Sequence, residues 1–210
     1  MLIFCDFDGT LFEPDVTNAI WDRYGIPQWR DVLLPPYRAG TLSPVDLMVE
    51  GYRAVTVPEA ELLAYVRPFV RVRAGFERLQ ALVEKQGWKF SVLSCGLEFY
   101  VRALVPTGMP YHCLASEFDG HWKVGLPPEV TLAPGEDFKV HVMNKLRRQH
   151  PAWPTVFIGD GRNDFKPAQA AQHAFAVAGS TLAQLCAEHG TACTEFTDFE
   201  EVASALRAME

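Results

Sequence analysis

Three short segments hold the side chains of this sequence that could do chemistry. They are Asp6-Phe7-Asp8-Gly9-Thr10, Ser94-Cys95-Gly96, and Gly159-Asp160-Gly161-Arg162-Asn163-Asp164. Lys139 stands near the start of a basic helical stretch before the last of them. If these segments converge, four carboxylates, one hydroxyl and one ammonium share a crevice. Carboxylates brought close repel, and burial makes this worse, so such a cluster needs a cation. Hard oxygen ligands select Mg²⁺ or Ca²⁺, and a site that keeps positions for water and phosphate suits Mg²⁺. A phosphate entering the site would need more positive charge and more donors. Lys139 can supply the charge, and Ser94 with the N–H groups leading into the next helix can supply donors. Of two carboxylates one residue apart, one can attack phosphorus while the other protonates the departing alkoxide and later deprotonates water. Thr10 either positions phosphate or closes the local turn. A calcium loop is excluded, because the position that needs a bidentate Glu is Thr17.

The elements that must position these groups alternate. Leu2–Cys5 is a short apolar run that ends in acidic residues and predicts a buried strand. Further strands are expected over 88–93, 111–115, 155–158 and 174–177, and helices over 76–83, 97–105, 139–148, 165–171, 182–189 and 199–209. Strands separated by helices predict an α/β fold, a Rossmann-like parallel sheet with helices on both faces. Ligands of such sheets sit at the carboxyl ends of the strands, which is where the three segments fall. One stretch breaks the alternation. Residues 13–68 carry helical patches at 16–24, 44–55 and 59–66, seven prolines and no convincing strand. They predict a small helical cap inserted after the first strand, with 1–12 and 69–210 forming the core domain. The competing expectation is that these helices simply pack on the sheet.

The three segments together with Lys139, and their order along the chain, resemble the haloacid dehalogenase superfamily over nearly the whole chain. The resemblance implies that Asp6 is the nucleophile and Asp8 the general acid/base. It implies that Ser94 binds a phosphoryl oxygen and that Lys139 holds nucleophile and phosphate. Mg²⁺ would be held by Asp6, the main-chain carbonyl of Asp8, and Asp160, with Asp164 ligating it or supporting it from behind. The place of the insert resembles the phosphoserine phosphatase-like group. Segments Arg73-Ala74-Gly75-Phe76 and 91–101, with the tail 178–199, resemble the methionine-salvage branch that acts on a 2-hydroxy-3-keto-5-methylthiopentenyl 1-phosphate. Two departures are plain. The glycine usual after the serine is Cys95 here, and 126–138 has no cysteine.

Several residues have two readings. Ser94 could cap the next helix. Lys139 competes with Lys145, farther along the same helix, and Lys123, in an expected hairpin at 117–123. Asp15 contacts substrate or caps the helix that starts at Val16. Cys95 is read as a small residue whose N–H meets phosphate rather than a reactive thiol, and Asn163 as a further phosphate-side donor. Trp21, Trp29, Tyr37 and Arg53 are expected in the core or on the surface of the cap more than in its pocket. His112, His121 and His141 are read as structural.

The bulk numbers bound the rest. A chain of 210 residues with 49% hydrophobic and 21% charged residues can bury a full core. Five scattered cysteines without a C-x-x-C pair signal neither zinc nor a disulfide framework. No stretch approaches the roughly 18 apolar residues of a membrane span, and a cytoplasmic location is expected. A net charge of −7 argues against nucleic acid. A small phosphorylated metabolite is the expected partner, and a monomer or homodimer the expected form. Phosphatase chemistry leads. A phosphomutase would use the same groups, and a dehalogenase has no need of Asp8. A receiver-like phosphate-binding module would lack both Asp8 and a cap.

Overall fold

The computed structural model describes residues 1–209. At its centre is β1 (Leu2–Cys5), whose four residues are all buried. A strand covered on both faces reads as a continuous apolar run, and Leu-Ile-Phe-Cys is one. Parallel to β1 on one side run β4 (Lys89–Leu97) and then β5 (Tyr111–Phe118). On the other side run β7 (Thr155–Gly159), β8 (His173–Val177) and β9 (Thr194–Phe196). The antiparallel β6 (Trp122–Gly125) closes one edge and gives the order β6-β5-β4-β1-β7-β8-β9. The hairpin expected at 117–123 is the β5–β6 turn. The short strands β6 and β9 were not foreseen, because so few residues show no period of their own.

The connecting helices are α5 (Phe76–Lys85), α6 (Glu98–Leu104), α7 (Phe138–Gln149), α8 (Phe165–Ala170) and α9 (Thr181–His189), and α10 (Phe199–Arg207) follows the last strand and packs against α5. Crossovers between parallel strands are right-handed. The chain moves outward from β1 to β4 and β5, then crosses back through α7 and moves the other way. Opposite directions of travel put the two sets of helices on opposite faces. The reversal also makes the crevice between β1 and β7 the topological switch point, the preferred ligand site of such sheets.

Between β2 (Phe12–Glu13) and β3 (Arg71–Val72) lie α1 (Val16–Tyr24), α2 (Trp29–Arg38), α3 (Pro44–Tyr52) and α4 (Glu59–Val66). The antiparallel pairs Phe12–Val72 and Glu13–Arg71 bring the two ends of this segment together. The helical segment after the first strand is therefore as expected, and consistent with a cap. Its start signals are local: Asp15 caps α1, and Ser43 with Asp46 forms a capping box ahead of Pro44. Helix α2 was not expected, since Pro35 and Pro36 read as breakers. Both lie in its last turn, while Trp29 and Leu33, four apart, bury one face and hold it down. Trp21 meets Trp29 and Tyr52 edge-on at 5.0 and 5.8 Å. Trp122 on β6 stacks on Phe99 at 4.3 Å and donates its indole N–H to the Val57 carbonyl at 3.0 Å. The edge hairpin thus ties the helical segment to the sheet. No helix among the described residues is long and apolar enough to cross a membrane.

Candidate active site

Register brings the chemical segments together. Cys5, the last residue of β1, is level with Val92 on β4 and Ile158 on β7. Asp6 therefore emerges beside the Ser94 and Asp160 regions, and its N–H is anchored on the Ile158 carbonyl at 2.8 Å. β1 ends at Cys5, so Asp6 and Asp8 do not share a strand face; the chain turns between them. Gly9, just past Asp8, carries the turn on at φ +77°, and a Cβ there would stand 2.5 Å from Asp160 Oδ2. Arg73, just past β3, donates to the carbonyls of Gly9 at 2.6 Å and Thr10 at 2.9 Å and pins the turn.

Lys139, in the first turn of α7, is fully buried with its ammonium 2.6 Å from both Asp6 Oδ1 and Asp164 Oδ1. Burial disfavours the ammonium, but Asp164 and Asp6 outweigh it and hold its pKa well above the ordinary lysine value. Lys145 lies farther along α7, and Lys123 pairs with exposed Asp119 on the hairpin. Asp164 spends its second oxygen on the N–H groups of Asp160 and Gly161, at 2.9 and 2.8 Å. Thr10 is also fully buried, and its hydroxyl donates to Asp160 Oδ1 at 2.7 Å. It thus orients a carboxylate and does not line the cavity described below.

One oxygen each of Asp6, Asp160 and Asp164 lie within 4.8 Å of one another. Three carboxylates face one ammonium. Burial and the charge of Asp164 push Asp6 well up, and the same causes push Asp160 up to about 7. A divalent cation would relieve this repulsion, and an all-oxygen donor set suits a hard one. The residues present therefore fit the expected Mg²⁺.

Above them lies a cavity of about 310 Å³. The core side supplies Asp6, Asp8, Ser94, Cys95, Gly96, Asp160 and Asn163. The helical segment supplies Asp15, Trp21, Trp29, Leu34, Tyr37, Leu47 and Met48. Trp21 and Trp29 are buried in the core, as expected, and with Tyr37 also line this pocket, whereas Arg53 pairs with half-buried Glu50. Ser94 lies within β4 rather than after it. α6 begins four residues later with Leu97 at its N-cap, so Ser94 does not cap that helix. Its Oγ accepts the Gly96 N–H at 2.8 Å. Burial pushes the Cys95 thiol up to about 12, which makes it inert near neutrality. Asp15 caps α1 through the Asn18 N–H at 2.7 Å and also lines the cavity.

Asp8 is held apart from the cluster. Val16 N–H donates to its Oδ1 and the Tyr100 hydroxyl to its Oδ2, at 2.8 and 2.7 Å. Burial pushes its pKa up, and these hydrogen bonds oppose the rise. Tyr100, Thr17 and Arg73 were not singled out from the sequence. Tyr100 reads as one more core aromatic of α6, and Thr17 as an interior residue of α1. Arg73 falls in a segment that carried resemblance but no role.

A model of the haloacid dehalogenase-like hydrolases matches residues 3–169. The chain is similar to a protein of Geobacillus kaustophilus named 2-hydroxy-3-keto-5-methylthiopentenyl-1-phosphate phosphatase. The two are 29% identical over 100% of this chain and 97% of the relative. A protein of the same name from Exiguobacterium sibiricum is 26% identical over 99% and 97%. Among solved structures, a phospho-aspartyl intermediate analogue of phosphoserine phosphatase superposes with a TM-score of 0.72. It shares 19% identity over 97% of both chains, a likeness of fold.

Proposed function

The chain belongs to the haloacid dehalogenase-like hydrolases, and on that premise we propose that it is a Mg²⁺-dependent phosphatase of small phosphate monoesters working through an aspartyl-phosphate on Asp6. The observation that carries this reading is the Lys139 ammonium. It is buried between Asp6 and Asp164, 2.6 Å from each, and favours the ionised form of Asp6 at the mouth of a cavity that Asp8 also faces. Asp6, Asp160, the main-chain carbonyl of Asp8 and, directly or from behind, Asp164 would hold the cation. When bound, Mg²⁺ supplies the charge neutralisation that lets an anionic carboxylate meet an anionic phosphoryl group.

Asp6 attacks phosphorus, and the ester oxygen departs with the proton that Asp8 delivers. Asp8, now ionised, takes a proton from water. That water attacks the phosphoryl group of Asp6, and the P–O bond to Asp6 breaks, releasing phosphate and restoring the Asp6 carboxylate with Asp8 again protonated. Burial raises the Asp8 pKa, the direction that suits a general acid. Ser94, the Cys95 N–H, Lys139 and Asn163 support the phosphoryl oxygens, and Thr10 acts by orienting Asp160. Residues 13–68 act as the cap.

For the leaving group we favour the methionine-salvage ester. Trp21, Trp29, Leu34, Leu47 and Met48 offer an apolar wall that suits a methylthio tail better than the amine and carboxylate of phosphoserine. The two relatives named for that ester support this choice. The test is Mg²⁺-dependent phosphate release from a panel holding p-nitrophenyl phosphate, phosphoserine and the salvage ester. The salvage ester should give the highest kcat/KM. A preference for phosphoserine would remove the substrate assignment, and no turnover of any ester would remove the phosphatase reading.

A further inference from the structure

Tyr100 is an α6 residue with no exposed surface, and its hydroxyl ends on a carboxylate. Its ring is fixed by Phe7 and Phe99, with centroids 5.6 and 5.2 Å away. The hydroxyl oxygen lies 2.7 Å from Asp8 Oδ2 and 2.7 Å from Thr17 Oγ1. Thr17 Oγ1 is itself 3.4 Å from Asp8 Oδ2.

A phenol has one proton to give, and the Tyr100 hydroxyl stands as donor to Asp8 Oδ2, an oxygen that accepts whether Asp8 is ionised or carries its proton on Oδ1. The Tyr100 proton therefore goes to Asp8, and the Thr17 hydroxyl donates to the Tyr100 oxygen. The result is a directed chain from Thr17 through Tyr100 to Asp8 Oδ2. The other oxygen, Oδ1, accepts the Val16 N–H at 2.8 Å and can also carry a proton. The chain also accounts for Gly96. A Cβ there would run into the Tyr100 hydroxyl and stand 3.0 Å from Asp8 Oδ2, so the strand end leaves room for this bond and for nothing larger.

We infer that Tyr100, backed by Thr17, is a positioning residue for proton transfer: it reserves Asp8 Oδ2 as an acceptor and so assigns the transferable proton to Oδ1. The inference rests on the phosphatase reading, in which Asp8 is the acid. Thr17 and Val16 belong to α1, whereas Tyr100 belongs to the core. The acid is thus aligned from both sides, and its aim depends on α1 being docked.

The test is the dependence of rate on leaving group, for wild type, Tyr100→Phe and Thr17→Val. The substrates run from p-nitrophenyl phosphate, whose phenolate leaves unaided, through phenyl phosphate to ethyl phosphate. The quantity is kcat/KM, which covers the steps up to loss of the leaving group. Tyr100→Phe keeps the ring contacts and should leave kcat/KM for the p-nitrophenyl ester within about threefold. For phenyl and ethyl esters it should cut kcat/KM by about 10–100-fold, part of the roughly 10²–10⁴ that general acids contribute. Thr17→Val should act in the same direction and more weakly, and it carries the test should Tyr100→Phe fail to fold. An equal loss on all three esters, or no loss on any, would overturn the inference. Wild-type enzyme inert toward every ester would instead overturn the phosphatase reading beneath it.

Discussion

Lys139 Nζ lies 2.6 Å from Asp6 Oδ1 with no part of the lysine exposed. An ammonium so placed is tolerable only because two carboxylates close around it, and they in turn depend on it. Removing one partner of such a group leaves buried charge uncompensated.

Lys139→Met, similar in volume, should therefore destabilise the fold by about 3–5 kcal/mol and abolish turnover. Denaturant melts at neutral and acid pH check this. The deficit should shrink at acid pH, where the stranded carboxylates take up protons. A loss under about 1 kcal/mol at neutral pH would mean that the pair does not carry the charge balance described.

Asp6→Asn points the other way for stability. It removes one of three crowded carboxylates, yet leaves Lys139 paired with Asp164. In metal-free protein the variant should melt at or above the wild-type temperature. Phosphate release should fall by about 10⁴-fold or more, the scale of losing a nucleophile. Retained activity would take Asp6 out of that role.

Asp160 sets a pH dependence with a defined sign. Burial and Asp164 push its carboxyl from an ordinary value of 3.8 up to about 7 in the fold. The folded metal-free protein then binds a proton that the unfolded chain has released. The associated stability is full below about pH 4 and is lost as pH rises through about 7. Added Mg²⁺ needs the ionised form, so its stabilising increment should grow over the same window. Melts in chelator and in Mg²⁺ from pH 5 to pH 8 measure both trends, and an increment independent of pH would contradict the assignment.

Gly51→Ala probes the helical segment alone. A Cβ at this position in α3 would overlap the Trp21 indole, which lines the cavity. Overpacking costs about 1–3 kcal/mol. Displacing the indole should raise KM for esters with bulky leaving groups while p-nitrophenyl turnover at saturation changes little. A uniform fall in kcat would mean that the strain reaches Asp8 rather than the pocket wall.

Much of this molecule was legible in its sequence, for local physical reasons. An apolar run that stops at an acidic pair can only be a buried strand with a polar end, and Leu2–Cys5 followed by Asp6 is one. The same pattern recurs at Ile158 before Asp160, and alternation with helices requires the two strands to be parallel. Parallel strands collect their carboxyl ends on one side, so the meeting of Asp6, Ser94 and Asp160 followed from pattern alone. Lys139 was the favoured lysine because Lys145 reads as solvated farther along the same helix and Lys123 falls in a hairpin turn. Tertiary structure decided what local pattern does not encode. Two prolines marked α2 as loop until the burial of Trp29 and Leu33 overrode them. Thr10 turned to Asp160, and Asp15 kept both a cap and a cavity role. Tyr100 met Thr17 and Asp8 only because the fold brings α1 and α6 within hydrogen-bond reach across more than eighty residues of chain. Residue type and short spacing determined which chemistry is possible here. The aim of the acid and the shape of the pocket depend on contacts between elements distant in sequence, and no local period records them.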